Sequence, residues 1–91
     1  MPTNAIGVDV SKAWIDVFDP LSGAVRRIGN DASSLQDWAA CLTGRFVVFE
    51  ATGAYDRELA RALAAAGVDH ARVNPRQARE FARACGVLAK T

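Results

Sequence analysis

Four consecutive apolar residues, Phe46-Val47-Val48-Phe49, run without alternation between Arg45 and the acid Glu50. A strand that shows no polar face is one covered on both sides, so this segment is read as the middle of a sheet. The remaining elements must supply its neighbouring strands and the layers above and below it.

Ile6, Val8 and Val10 alternate with Gly7 and Asp9, the period-two pattern of a strand, with Asp9 on the face opposite the aliphatic residues. Trp14 to Phe18 reads as a second strand close enough to pair as a hairpin, and Asp19-Pro20-Leu21-Ser22-Gly23 supplies turn chemistry before a third, Ala24 to Ile28. After Gly29-Asn30-Asp31 the period changes. Ser33-Ser34-Leu35-Gln36 fits a capping box, and Leu35, Trp38, Ala39 and Leu42 form one face of a helix. Tyr55, Leu59, Leu63 and Ala66 mark a second helix that stops at Gly67. Val68 to Val73 is the fifth strand. Asn74-Pro75 then gives a cap and a first helical residue for a third helix, Pro75 to about Cys85, with Phe81 and Cys85 inward. The order is βββαβαβα: a meander followed by strands joined through helices, which are expected to be parallel with right-handed crossovers. The expectation for residues 1–91 is a single α/β domain with a mixed five-stranded sheet flanked by helices.

Hydrophobic residues make up 51% of the chain and charged residues 23%, a globular balance that excludes a disordered one. The net charge of +1 conceals an asymmetry. Residues 1–71 carry six Lys/Arg against nine Asp/Glu, and residues 72–91 carry five against one. An acidic body with a basic end is compatible with a metal site and a polyanion contact on one molecule. Cys41 and Cys85 form no C-x-x-C pair and read as two buried thiols. With no leader pattern and no long apolar stretch, the expected location is the cytoplasm and no membrane partner is expected.

Asp9 stands in a strand interior, where Asp is disfavoured and nothing local offers it a cap or turn role. It is either an exposed edge residue, an acid paired with Lys12 or an arginine, or a ligand. Glu50 ends its strand and is equally placed to cap the helix that follows. If the first strand neighbours the fourth, the two acids converge on one spot, where hard cations such as Mg²⁺ or Mn²⁺ take oxygen ligands and activate water or a hydroxyl for attack at phosphorus. Carboxylates beside apolar strands are costly to desolvate without such a partner. Asp16 alternates with Ile15 and Val17 and reads as solvent-facing. His70, the sole histidine, lies in an edge-strand pattern without a catalytic neighbour. Ser11 and Lys12 form a turn after Asp9 that is able to touch a phosphate. No phosphate-binding glycine loop or dinucleotide fingerprint is present. Arg76, Arg79 and Arg83 fall on one helical stripe, extended by Arg72 and Lys90, suited either to a phosphate backbone or to a solvated face partly paired with Glu80.

At Ile6-Gly7-Val8-Asp9-Val10-Ser11-Lys12, Phe49-Glu50-Ala51-Thr52-Gly53-Ala54-Tyr55, Val73-Asn74-Pro75 and Ala89-Lys90-Thr91, the chain resembles the N-terminal part of the DEDD transposases of the insertion-sequence one-ten type, whose relatives include Piv-type DNA invertases. The resemblance implies a RuvC-like, ribonuclease H-type domain that binds divalent metal through an Asp, Glu, Asp, Asp set and cleaves and joins DNA strands. Asp9 would be the first acid and Glu50 the second. The other two aspartates of that set lie just beyond a segment like Ala89-Lys90-Thr91, so the chain is expected to be truncated before them and inactive alone. The family also carries a C-terminal domain with a DNA-attacking serine and works with a guide RNA, neither of which is traceable to residues here. The partners it implies are DNA and a guide RNA for the parent protein; a second copy of the chain is admitted as a partner but not specified by the sequence. Two other readings remain open. Actin-like and sugar-kinase ATPases share the βββαβαβα core but usually follow the first acid with glycine, where this chain has Val10 and Ser11. A non-catalytic assembly or nucleic-acid-binding module would bind without regard to metal.

Overall fold

The computed structural model describes residues 4–50, 53–74 and 76. In chain order its elements are β1 (Ala5–Val10), β2 (Trp14–Asp19), β3 (Ala24–Gly29), α1 (Ala32–Ala39), β4 (Phe46–Glu50), α2 (Arg57–Ala65) and β5 (Asp69–Val73). The sheet runs β3-β2-β1-β4-β5. β1, β2 and β3 pair antiparallel, whereas β4 lies parallel to both β1 and β5. The fold is thus α/β with a mixed five-stranded sheet, and the Phe46-to-Phe49 run is an inner strand beside β1. The helix expected from Pro75 to about Cys85 lies outside the described residues, apart from Arg76, which is exposed and helical.

The strand periodicity sorts the core into two layers. Ile6, Val8, Val47 and Phe49 pack on one face against Leu35 of α1 and Leu59 and Leu63 of α2, all of them buried. On the other face Ala5 and Val48 form a smaller cluster with half-buried Phe46 and Val73. At the lower end of the sheet, Arg45 grips Asp19 through two hydrogen bonds of 2.9 and 2.6 Å, and its Nε donates to the Asn4 carbonyl at 2.9 Å. The end of β2 is thereby fastened to the start of β4.

The start of α1 differs from the sequence pattern. Asp31, not Ser33, caps α1: it is extended at φ −138°, and its carboxylate accepts from the Ser34 backbone N–H at 2.9 Å and the Ser34 hydroxyl at 3.0 Å. The helix starts immediately after β3, so Ser33 already lies inside it. The end of α2 is as expected. Gly67, at φ +70°, donates to the Ala64 carbonyl, and Val68 donates to that of Leu63, closing a Schellman motif in which Val68 and Leu63 are both buried. Tyr55 was expected on the inner face of α2 but precedes that helix and is 51% exposed. Cys41, expected as a buried thiol, is exposed just beyond α1, where Leu42 takes the inward position instead. Among the described residues no helix is long and apolar enough to cross a membrane.

Candidate metal centre

The bridged pairs between β1 and β4 end at Val8 and Phe49, so the next step of that register sets Asp9 beside Glu50. Across the other edge of β1, Asp9 is directly opposite Asp16, and Asp16 is opposite Arg27 on β3. Residues in one lateral row of a sheet share a face. Arg27, Asp16, Asp9 and Glu50 therefore form a polar row across four strands, on the face that carries Ala5 and Val48. The two acids singled out from the sequence are brought to neighbouring parallel strands, at the ends where both strands exit the sheet.

Within this row the acids differ in their partners. Asp16 accepts from Arg27 at two points, Nε to Oδ1 at 2.8 Å and Nη2 to Oδ2 at 3.2 Å, and the Arg27 guanidinium lies 4.6 Å from the centre of the Trp14 ring. The Arg27 hydrogen bonds hold the Asp16 carboxyl below its ordinary 3.8. Three carboxylates side by side would repel one another. Arg27 neutralises the outermost and leaves two. Among the described residues neither Asp9 nor Glu50 forms an ion pair, which removes Lys12 and the described arginines as partners for Asp9. Nor does Glu50 cap the next helix, because the N-cap position of α2 belongs to Asp56.

Among the described residues no group of three or more His, Cys, Asp or Glu is gathered tightly enough to hold a metal ion. The row supplies two carboxylates, and exposed Asp9 with half-buried Glu50 leaves room for water. All-oxygen ligation with several waters suits Mg²⁺ or Mn²⁺ rather than softer ions.

The loops that leave these strands are tied together by Asn30, which follows β3 and to which the sequence pattern gives no functional role. Asn30 Nδ2 donates to the Ser11 carbonyl at 2.7 Å and to the Tyr55 carbonyl at 2.8 Å, linking the loop after β1 to the entry of α2. Its Oδ1 is buried without a hydrogen-bond partner among the described residues. Turning the amide over would set that oxygen against two carbonyls, so its orientation is determined by the bonds it makes. No local pattern signals a link spanning 19 and 25 residues.

The expected nucleic-acid contacts are dispersed. Lys12 is exposed in the turn after β1, and Arg76 is exposed beyond β5. Arg79, Arg83 and Lys90 lie outside the described residues. Arg72 is in register with Phe49, on the face packed by α1 and α2 and not that of the acid row, and its Nε meets the buried Asp56 carboxylate at 2.7 Å. His70 sets Nδ1 at 2.9 Å from the Val68 carbonyl and stacks on Phe49 with ring centres 6.0 Å apart, a packing role. The sequence matches no family model and no curated protein.

Proposed function

We propose that this chain is the ribonuclease H-like, RuvC-type domain of a DEDD transposase or recombinase, contributing Asp9 and Glu50 to the divalent-cation site with which the parent protein acts on DNA strands. The observation that carries the reading is the register of β1 against β4, whose continuation one step past Val8 and Phe49 would bring those two acids side by side on one face. The motif resemblance and the mixed five-stranded sheet support it.

In this reading the Asp9 and Glu50 carboxylates hold Mg²⁺ or Mn²⁺. When bound, the ion lowers the pKa of a coordinated water or hydroxyl and stabilises charge on the phosphoryl oxygens. The protein's own contribution is positional. β1 and β4 are inner strands, so each carboxylate is carried at the exit of a strand that is paired on both sides. Arg27 keeps Asp16 out of the ligand set by occupying both of its oxygens. Asn30 holds the Ser11 and Tyr55 loops together beside the strand ends.

Two carboxylates leave most of an octahedral shell to water, so metal binding by this chain is expected to be weak and strand cleavage absent. Calorimetric titration with Mn²⁺ tests the site, with Asp9→Asn and Glu50→Gln expected to remove the heat while leaving the circular dichroism spectrum intact. Strong cation binding that survives both substitutions contradicts the assignment.

A further inference from the structure

Lys12, Asn30, Ala54, Tyr55, Arg57 and Glu58 surround a pocket of 270 Å³. Three elements build it: the turn after β1, the residue after β3 and the entry of α2. The Asn30 amide holds the first and third in place. Its chemistry is uneven. Glu58 is paired with Arg61 at 2.8 Å, whereas among the described residues neither Lys12 nor Arg57 is in an ion pair. The pocket therefore holds two cations with unspent charge and one acid already neutralised. Tyr55 is 51% exposed at the same site. Gly53, at φ +71°, precedes it, and a Cβ there would stand 4.0 Å from the Tyr55 ring. A glycine adds no side chain over that edge of the ring.

An exposed aromatic ring flanked by unpaired cations is the arrangement by which proteins hold single-stranded nucleic acid: the ring stacks on a base, the cations meet the phosphate, and stacking tolerates any base. We propose that this pocket seats one unpaired nucleotide of a nucleic-acid strand, with its base on Tyr55 and its phosphate between Lys12 and Arg57. The reason for a strand to pass here rests on the function proposed for the acid row, but the pocket's binding needs neither acid nor metal. Asn30 is a positioning residue for it.

Tyr55 is the only tyrosine of the chain, so incorporation of 3-fluorotyrosine gives one ¹⁹F resonance that reports this pocket alone. The titration uses a short single-stranded oligodeoxyadenylate, with deoxyadenosine monophosphate and inorganic phosphate as separate arms. EDTA is present throughout, so that failure of the metal site and failure of the pocket are seen independently. The strand is expected to shift the resonance saturably, with affinity falling as salt rises. Tyr55→Ala should weaken binding about 5- to 150-fold and Tyr55→Phe by no more than about twofold. Lys12→Gln with Arg57→Gln should lower the log–log salt slope by about 0.7–1.4. An unmoved resonance at strand saturation, or unchanged affinity in folded Tyr55→Ala, overturns the proposal. So does an equal shift and affinity from phosphate alone. Monophosphate binding as tightly as the strand would make the pocket a free-nucleotide site and overturn the strand.

Discussion

Replacing Arg72 with Gln separates two roles for that residue, a phosphate contact and an anchor for α2. Asp56 occupies the N-cap position of α2 yet caps no backbone N–H with its side chain. Its carboxylate is instead met by Arg72, in a pair whose side chains are 7% and 55% exposed respectively. Removing one partner of a fully buried pair costs about 3–5 kcal/mol, and an exposed pair is worth about 0–1 kcal/mol. This mixed pair lies between those limits, and the positive end of α2 offsets about 0.3–1 kcal/mol of the stranded charge. Arg72→Gln is therefore expected to destabilise the fold by about 2 kcal/mol. For a domain of this size that lowers Tm by about 8–16 °C. Asp56→Asn removes the charge together with the need to pair it and should cost about 1 kcal/mol. Because the penalty is the stranded charge, the double variant should be more stable than Arg72→Gln alone, which is a large coupling in a double-mutant cycle. Thermal melts by circular dichroism read all four proteins. An Arg72→Gln melt within about 1 °C of the wild type, or an additive cycle, would refute the anchor. A reduced salt slope for DNA binding at unchanged Tm would make Arg72 a phosphate contact instead.

Two further outcomes follow from side chains that cross-link the sheet. Asn30→Ala loses two hydrogen bonds and should cost about 1–3 kcal/mol in urea unfolding, with greater backbone exchange at Ser11 and Tyr55 than at β4; uniform behaviour across the chain would argue against a local tie. Arg45 holds the Asp19 carboxyl below its ordinary 3.8, mainly by hydrogen bonding. A depressed folded pKa stabilises the protein above the unfolded value and loses that contribution as pH falls through the folded one. Unfolding midpoints measured from about pH 5 down to about pH 2 should therefore fall less steeply in Asp19→Asn than in the wild type. Parallel profiles would show that the pair contributes nothing.

What was legible in the chain was whatever is written locally. The alternation of Ile6, Val8 and Val10 and the unbroken run from Phe46 to Phe49 specify strands because strand sidedness has a period of two. Gly67 specifies a helix end because few other residues adopt its φ of +70°. The juxtaposition of Asp9 and Glu50 was legible only through the topology, since a crossover between parallel strands decides which acids become neighbours. Asp31 was passed over as a cap because Ser33 and Gln36 offered a competing pattern one turn fragment later. Tyr55 continued the apolar spacing of Leu59 and Leu63, but the chain turns at Asp56 before the helix begins, and the ring is left outside. Asn30 and Arg72 act through partners 25 and 16 positions away, and such links leave no mark on the residues around them.

The central claim is that Asp9 and Glu50 share a cation, and paramagnetic broadening by Mn²⁺ in a ¹⁵N-labelled sample locates it directly. Substoichiometric Mn²⁺ should extinguish the amide signals of Asp9, Val10, Phe49 and Glu50 first. The same addition should leave them intact in Asp9→Asn and in Glu50→Gln. Broadening centred instead on Asp31, the cap of α1, and Asp37 within it, or broadening at β1 and β4 that persists in both variants, would contradict the claim.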